Sequence, residues 1–142
     1  LVPSTNRPGY TIIARSITSR SLASGVPNYA VLDTSNVTIC DYVADDLNSF
    51  LASTYAGFKI TSDSSDGTPP RAPNVTSPSL IRAVIAQRLA EFEERAIIKD
   101  TTANLPLLTV TASATPGRID CNIPCEPMPG LHVLGGDVRH LS

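Results

Sequence analysis

The sequence predicts a small α+β domain, with two main helices on one side of a small β-sheet and an extended strand arm at each end. The segments follow the order strand, two helices, hairpin, strand, without an internal repeat. The 142 residues and the 42% apolar content suit one domain with one hydrophobic core. Because aromatics are 5% and Trp is absent, that core must consist of Ile, Val, Leu and Ala.

We expect residues 1–142 to form this single domain in three parts. Residues 1–28 are an N-terminal strand and linker, residues 29–123 hold the core helices and hairpin, and residues 124–142 are a C-terminal arm. Residues 10–17 are β-branched and partly alternating, which predicts a strand. Residues 18–28 are Ser-rich and contain Gly25 and Pro27, so we expect a loop there.

The first helix is predicted from apolar residues that recur every three or four positions. Ser35 or Asn36 can cap its start, and Gly57 is a plausible C-terminal stop. The residues of one face should point to the core, while the aspartates lie mostly elsewhere. The predicted apolar stripe is Val37, Cys40, Val43, Leu47, Phe50 and Leu51.

A long polar loop over residues 61–76 should lead into the second helix. Loops of this length usually bind something or are disordered. Ser77 is the predicted N-cap, and Pro78 stands at the first helical position, where its missing N–H costs nothing. We expect this helix to run to about Ile98, with its stripe made by Ile81, Val84, Ile85, Leu89, Phe92 and Ala96.

The last third of the chain predicts a β-hairpin and a final strand. Residues 107–113 and 118–123 alternate apolar and polar side chains and are joined by a turn that contains Pro116 and Gly117. A proline-rich joint over residues 124–130 leads into a strand over residues 131–141. The glycine pair Gly135 and Gly136 predicts a bulge or kink in that strand.

Composition argues against two classes of partner. The net charge is −2, from 11 basic and 13 acidic residues, without the basic stripe that a nucleic-acid backbone requires. A polybasic run is also absent, and the longest uncharged run, residues 101–117, is interrupted by Pro106 and Pro116. We therefore expect no nucleic-acid partner and no membrane insertion. The first residue is Leu, and we expect the chain to be a fragment of a longer protein.

Chemical motifs are weak throughout, so we predict no enzyme, no cofactor and no metal site. The residues Cys121, Cys125, His132 and His140 lack the spacing of a zinc knuckle and are more simply small hydrophobes and surface histidines. Three cysteines are an odd number and are not spaced as a disulfide framework, which favours a reducing compartment.

Three further sequence features also lack the residues that their chemistry would require. Asp137 and His140 have no Gly-x-Ser-x-Gly partner, and the Gly135–Gly136 pair has no helix start or lysine after it. The loop over residues 63–67 lacks the ligand positions of a calcium loop.

The two ends are the unusual features. A strand that a proline or glycine joint separates from the domain can pair with the sheet edge of another chain. The residues alone leave open whether these strands do so or fold back onto their own sheet.

The chain resembles a known family over nearly its whole length. The runs that carry the resemblance are residues 76–83, 89–93 and 97–100 in the second helix, then Pro116-Gly117-Arg118-Ile119-Asp120-Cys121 and Gly130-Leu131-His132-Val133. They resemble the main helix, closing hairpin and C-terminal strand of contractile-phage tail sheath proteins of the Mu-like kind. The match is to the C-terminal domain of these longer proteins, and it departs at Cys121, Cys125, residues 16–24 and the Gly135–Gly136 pair.

The resemblance implies a structural subunit that polymerises around an inner tube by β-strand exchange and contracts to drive the tube into the target cell. Its partners would be other copies of itself, the tail tube protein, and the baseplate and tail terminator at the ends, in a virion assembled in the host cytoplasm. The alternatives are the sheath of a phage-tail-like bacteriocin or of a secretion or injection system, and, in a different class, a small α+β binding module.

The resemblance also assigns roles to residues. The inter-subunit strand arms would be Tyr10, Ile12, Ala14, Leu131, Val133, Leu134, Val138 and Leu141. The hinges would be Gly25, Pro27, Pro124, Pro127, Gly130, Gly135 and Gly136. The tube-contact candidates are Arg82, Arg88 and Arg95, for which the alternative is a solvated helix face with ordinary i,i+4 pairs.

Overall fold

The computed structural model describes residues 33–130 in full and, before them, the backbone of four short strands. The chain divides into two compact units, Ile39–Met128 and, together, Leu1–Thr38 and Pro129–Ser142. The predicted α+β class is confirmed, because helices and short two-stranded sheets make up the described elements. The predicted division at residues 28 and 123 stays a prediction.

Two antiparallel strand pairs form the described backbone of residues 1–32. β1 (Val2–Ser4) pairs with β2 (Ile12–Arg15), which lies inside the strand predicted over residues 10–17. β3 (Leu22–Ala23) pairs with β4 (Val26–Pro27), so the prediction of a loop over residues 18–28 is wrong at these four residues. Strands of two residues are too short to show a period of two in the sequence, which explains the error.

Helix α1 (Thr34–Thr54) begins one residue after Asp33. The Asp33 Oδ1 accepts hydrogen bonds from the Ser35 backbone N–H at 3.0 Å and from the Ser35 hydroxyl at 2.6 Å. Asp33 is therefore the N-cap, and the prediction of Ser35 or Asn36 is wrong by two or three positions. The prediction that the helix stops at Gly57 is confirmed, since α1 ends at Thr54 and Gly57 has a φ of +75°.

The loop after α1 is closed by a short parallel strand pair. β5 (Lys59–Ile60) lies beside β6 (Val75–Thr76), and the Lys59 N–H donates to the Asn74 carbonyl at 2.8 Å. The predicted loop over residues 61–76 is therefore two residues too long at its end. Two strands of two residues give no sequence period, and tertiary contact alone decides this pairing.

Helix α2 (Pro78–Glu94) starts as predicted, with Ser77 as an extended N-cap and Pro78 at the first helical position. The predicted end near Ile98 is wrong. The Ile97 N–H donates to the Phe92 carbonyl at 3.0 Å and the Ala96 N–H to the Glu93 carbonyl at 2.9 Å, while Ala96 has a φ of +55°. These bonds form a Schellman motif that ends the helix.

The chain beyond α2 pairs with the segment that precedes the C-terminal arm. The Lys99 N–H donates to the Glu126 carbonyl at 2.9 Å, and the Met128 N–H donates to the Ile97 carbonyl at 3.0 Å. Ile98 and Pro127 form an antiparallel bridge between these bonds. This long-range pairing supplies the reason why α2 stops before Ile98, although its local sequence favours a helix.

A short helix, α3 (Thr101–Asn104), and a 3₁₀ turn over Leu105–Leu107 follow. They lead into the predicted hairpin, which is confirmed: β7 (Thr109–Ala112) pairs with β8 (Ile119–Asn122) in antiparallel register, with Ala112 opposite Ile119. Gly117, in the turn, has a φ of +77°, a backbone conformation that glycine adopts without strain.

The core is aliphatic around one aromatic ring, as the composition predicts. Helix α2 contributes four of the eight buried apolar residues in the described part of the chain, and the Phe92 ring meets the Tyr42 ring edge-on at a centroid distance of 6.0 Å. Val37 of the predicted stripe is instead 40% exposed. The buried apolar residues are Val43, Leu47, Ile81, Ile85, Leu89, Phe92, Ile98 and Leu108.

Replacing Ala96 with glycine should stabilise the protein. Ala96 holds the left-handed position of the Schellman motif, where a Cβ is strained, so we expect Ala96→Gly to raise the free energy of unfolding by about 0.5–1 kcal/mol. The Tm should rise by roughly 2–8 °C in a thermal scan. The exposed Ala90, inside α2, is the matched control: Ala90→Gly should lower stability by about 1 kcal/mol. A lower Tm for Ala96→Gly would contradict the assignment.

Candidate self-association surface

The hairpin strand β8 has one edge that faces away from β7. Within the described part of the chain, β8 pairs with β7 alone. The Ser113 N–H donates to the Arg118 carbonyl at 3.0 Å, which makes this the first hydrogen-bonded pair of the hairpin. Bonded and non-bonded pairs alternate from there, so Ile119 and Cys121 direct their N–H and C=O groups away from β7. These groups can accept an incoming strand.

An apolar groove lies beside this edge. Its volume is about 290 Å³, and it runs between the end of α1, the β5–β6 pair and β8. Phe58 and Ile60 are 36% and 38% exposed in it, and the Tyr55 and Phe58 rings meet edge-on at 5.3 Å. Exposed apolar surface next to unpaired backbone is the combination that strand addition uses. The lining residues are Leu51, Tyr55, Phe58, Ile60, Thr76, Ile81, Gly117, Ile119 and Cys121.

The polar loop before α2 is tied to the start of that helix. The Asp63 Oδ1 accepts a hydrogen bond from the Ser79 backbone N–H at 3.0 Å and another from the Ser79 hydroxyl. Hydrogen bonds from Ser79, and then from Ser77, hold the pKa of Asp63 below its ordinary value. Asp63 thus satisfies a helix N–H that the Ser77 side chain leaves unbonded, and it fixes the loop near the groove.

The base of the C-terminal arm is anchored to its own chain. Glu126 accepts from the Lys99 ammonium at 2.7 Å and from the Asn104 amide at 3.0 Å. The hydrogen bond from Lys99, and then that from Asn104, lowers the pKa of Glu126. Together with the backbone pairing of residues 97–99 with 126–128, these bonds hold Pro127 in place.

The predicted hinges fall into three groups. Pro124 and Pro127 are half-buried, and Pro127 lies in the anchored segment. Gly130 is exposed and follows that segment, whereas Pro27 lies in β4, opposite Leu22. Gly25, Gly135 and Gly136 lie outside the described residues. Their roles as hinges stay predictions.

The structure describes two of the eight predicted strand-arm residues. Ile12 and Ala14 lie in β2, whose described partner is β1 of the same chain, with Ser4 opposite Ile12. The other predicted arm residues, Tyr10, Leu131, Val133, Leu134, Val138 and Leu141, lie outside the described residues. One edge of β2 is therefore already occupied within its own chain, which the sequence did not indicate.

All three candidate tube-contact arginines have hydrogen-bond partners in their own chain, and those of Arg82 and Arg88 are closer than that of Arg95. Arg82 donates hydrogen bonds to the Leu105 carbonyl at 2.9 Å and to the Leu108 carbonyl at 3.0 Å. These two residues lie at the start of the 3₁₀ turn and directly after its end. Arg95 is exposed, and its guanidinium donates a long hydrogen bond of 3.5 Å to the Tyr42 hydroxyl.

Arg88 is held most firmly. Its guanidinium donates to both Asp46 carboxylate oxygens at 2.9 and 3.0 Å and to Glu91 at 2.6 Å. It also lies over the Phe50 and Phe92 rings, 5.1 and 5.3 Å from their centroids. The side chain is 25% exposed, so it joins α1 to α2 and is not the freely solvated group that helix periodicity predicts.

Two cysteines that lie far apart in the sequence meet in the fold. The Cys40 thiol of α1 donates to the Cys125 Sγ at 3.2 Å, although 85 residues separate them. Burial, and then the hydrogen bond from Cys40, raises the pKa of Cys125 to about 12. Sequence spacing gave no sign of this pair, whereas Cys121 is exposed on β8.

The described residues offer neither a cluster of metal ligands nor a membrane-spanning helix. That part of the chain contains no group of three or more His, Cys, Asp or Glu side chains placed to hold a metal ion. His132 and His140 lie beyond it. None of the described helices is both long and apolar enough to cross a bilayer.

The described residues define a small α+β fold in which the outer edge of β8 lies beside an apolar groove. Comparison with models of known protein families finds no match. Comparison with curated protein sequences finds none either.

Proposed function

We propose that this chain is the polymerising part of a contractile tail sheath subunit, which surrounds an inner tube and contracts to drive it into a target cell. The observation that supports this most is the outer edge of β8, which has no partner strand among the described residues and lies beside the apolar groove. A segment from a neighbouring copy can add to this edge as a further strand. The resemblance of the sequence to tail sheath proteins supplies the second argument.

The donated strand would come from residues 131–141 of a neighbouring copy. Leu131 and Val133 are two positions apart, so in a strand they lie on one face and can fill the groove next to Ile119 and Cys121. Backbone hydrogen bonds would supply affinity, and the groove would set the register. The N-terminal contribution would be the β1–β2 pair rather than a single strand, because β2 already has a partner.

A head-to-tail contact of this kind does not close on itself and generates a helical filament. Because residues 126–128 are bonded to residues 97–99, the joint of the arm would lie at Pro129 and Gly130. During contraction the compact bodies would rotate as rigid units while the exchanged strands hold them together.

The contact with the inner tube is assigned to Arg95 among the three candidate arginines. Arg82 and Arg88 have partners in their own chain, so reversing their charge should damage the fold itself. Arg95 is exposed, which suits a contact that must break on contraction. Baseplate and terminator proteins would occupy the two ends of the filament.

Two alternatives make different demands on the same surface. The sheath of a bacteriocin or secretion device would polymerise in the same way, and the gene neighbourhood separates it from a phage tail. A small binding module would take its strand from an unrelated protein and would stay monomeric when pure. Polymerisation of the pure protein therefore distinguishes a sheath of either kind from a small binding module.

A proline on the open edge tests the proposal. Cys121→Pro removes an outward N–H but leaves the bonds to β7, because Cys121 and Val110 form a non-bonded pair. We expect this variant to lose helical polymers in electron micrographs and in sedimentation, with a far-UV spectrum like that of the wild type.

Cys121→Val is the matched control, since it keeps the N–H and an apolar side chain and should polymerise normally. If the proline variant polymerises as well as the valine variant, the edge of β8 is not the acceptor. If the wild-type protein itself stays monomeric, the proposed function fails.

A further inference from the structure

The contact between Cys40 and Cys125 is positioned for a covalent bond. Their Sγ atoms are 3.2 Å apart and both residues are half-buried, so a small reagent can reach them. A disulfide needs the sulfurs about 2.0 Å apart, so they must approach by only about 1 Å. Cys40 lies in helix α1, whereas Cys125 belongs to an irregular segment between β8 and the bridge at Pro127, so the approach can come from the Cys125 side.

We propose that Cys40 and Cys125 form an intramolecular disulfide when the protein meets an oxidising low-molecular-weight disulfide. This modification site ties α1 to the base of the C-terminal arm. The inference does not rest on the proposed function, because it needs only the folded chain.

The reaction is a double thiol–disulfide exchange. The Cys40 thiol gives its proton to solvent, and its sulfur attacks the small disulfide, forming a mixed disulfide and releasing one small thiolate. The Cys125 thiol then loses its proton and attacks the Cys40 sulfur, which forms the Sγ–Sγ bond and releases the second small thiolate. Two protein thiols lose two electrons and two protons, and the small disulfide is reduced to two thiols.

The surroundings make the pair selective but slow to react. Burial keeps Cys125 largely protonated at neutral pH, so its thiolate is scarce in the second step. The short distance to Cys40 compensates, because the attack is intramolecular. Cys121 is exposed on β8, so it should form only a mixed disulfide with the reagent.

The bond would reinforce an anchor that is otherwise non-covalent. Cys125 directly precedes Glu126, which binds Lys99 and Asn104. With the disulfide formed, the base of the arm would be joined to α1 covalently and to residues 97–99 by hydrogen bonds. Local opening of residues 124–128 would then no longer release the arm. The reducing compartment that the cysteine count favours is compatible, since the bond forms only after exposure to an oxidant.

The test uses the full chain, incubated with oxidised glutathione, quenched in acid and alkylated under denaturing conditions. Mass spectrometry of peptides should find Cys40 linked to Cys125, with Cys121 either alkylated or carrying glutathione. The oxidised protein should have a Tm higher than the reduced protein by on the order of 10 °C, because the bond closes a long loop.

Two single variants serve as controls. Cys121→Ser should form the same cross-link and show the same rise in Tm, whereas Cys40→Ser should show neither. Since Cys40→Ser could also affect folding, the peptide map of the wild-type protein decides the matter by itself. If Cys40 and Cys125 remain separately alkylated or glutathionylated, or if the bond joins Cys121 to either of them, the proposal is overturned.

Discussion

Deleting residues 131–142 should leave a folded protein that no longer forms helical polymers. The deletion removes the proposed donor strand and keeps every buried apolar residue of the described part of the chain, since these lie between Val43 and Leu108. The anchor at residues 126–128 also stays in place. We expect the thermal transition to be retained and sedimentation to show a small species at concentrations at which the intact chain polymerises.

A second truncation separates loss of the donor strand from loss of the fold. Ending the chain after Ile123 also removes Cys125, Glu126 and the bonds of residues 126–128 to Ile97 and Lys99. That variant should be destabilised as well as monomeric, whereas the chain that ends at Gly130 should be monomeric alone. Polymers from the chain that ends at Gly130 would overturn the role given to the C-terminal arm.

Mixing two defective proteins gives a sharper outcome. The truncated chain keeps the β8 edge but has no arm, and Cys121→Pro keeps the arm but lacks one edge donor. An equimolar mixture should form pairs and nothing larger, because each defect stops growth in one direction. Long polymers in the mixture would contradict a head-to-tail exchange.

Replacing Phe92 with alanine should cause the largest loss of stability. Phe92 has an exposure of 0% and contacts the Tyr42 ring at 6.0 Å between centroids. Removing such a buried ring costs about 3–5 kcal/mol, because its transfer free energy is lost and a cavity remains. This is a large part of the roughly 5–15 kcal/mol that stabilises an ordinary domain. The midpoint of urea unfolding should fall accordingly, with the slope unchanged.

Leu107→Ala is the matched control for this loss. Leu107 is also a large apolar residue, but it is 60% exposed at the end of the 3₁₀ turn. Its replacement should change stability by no more than about 0.5 kcal/mol. Equal losses from the two substitutions would show that Phe92 is not at the centre of the core.

Features that depend on local preference could be read from the sequence. Pro at the first position after Ser77 fixed the start of α2, and Gly57 and Gly117 occupy the positive-φ positions at the end of α1 and in the hairpin turn. The alternation in β7 and β8 predicted their pairing correctly. Each of these depends on backbone geometry within a few residues, which is where residue type has its strongest effect.

The tertiary structure decided everything that joins distant residues. The end of α2 was misjudged because Ile97 and Ile98 suit a helix locally, yet they pair with residues 126–128. The sequence also gave no indication of three long-range contacts. These are the bond of Arg88 to Asp46, the bond of Asp63 to Ser79 and the contact of Cys40 with Cys125. Helical and strand periods report which face of an element is buried, but they do not report which residue of another element it will meet. Pairings across 16, 42 or 85 residues arise only when packing brings the elements together.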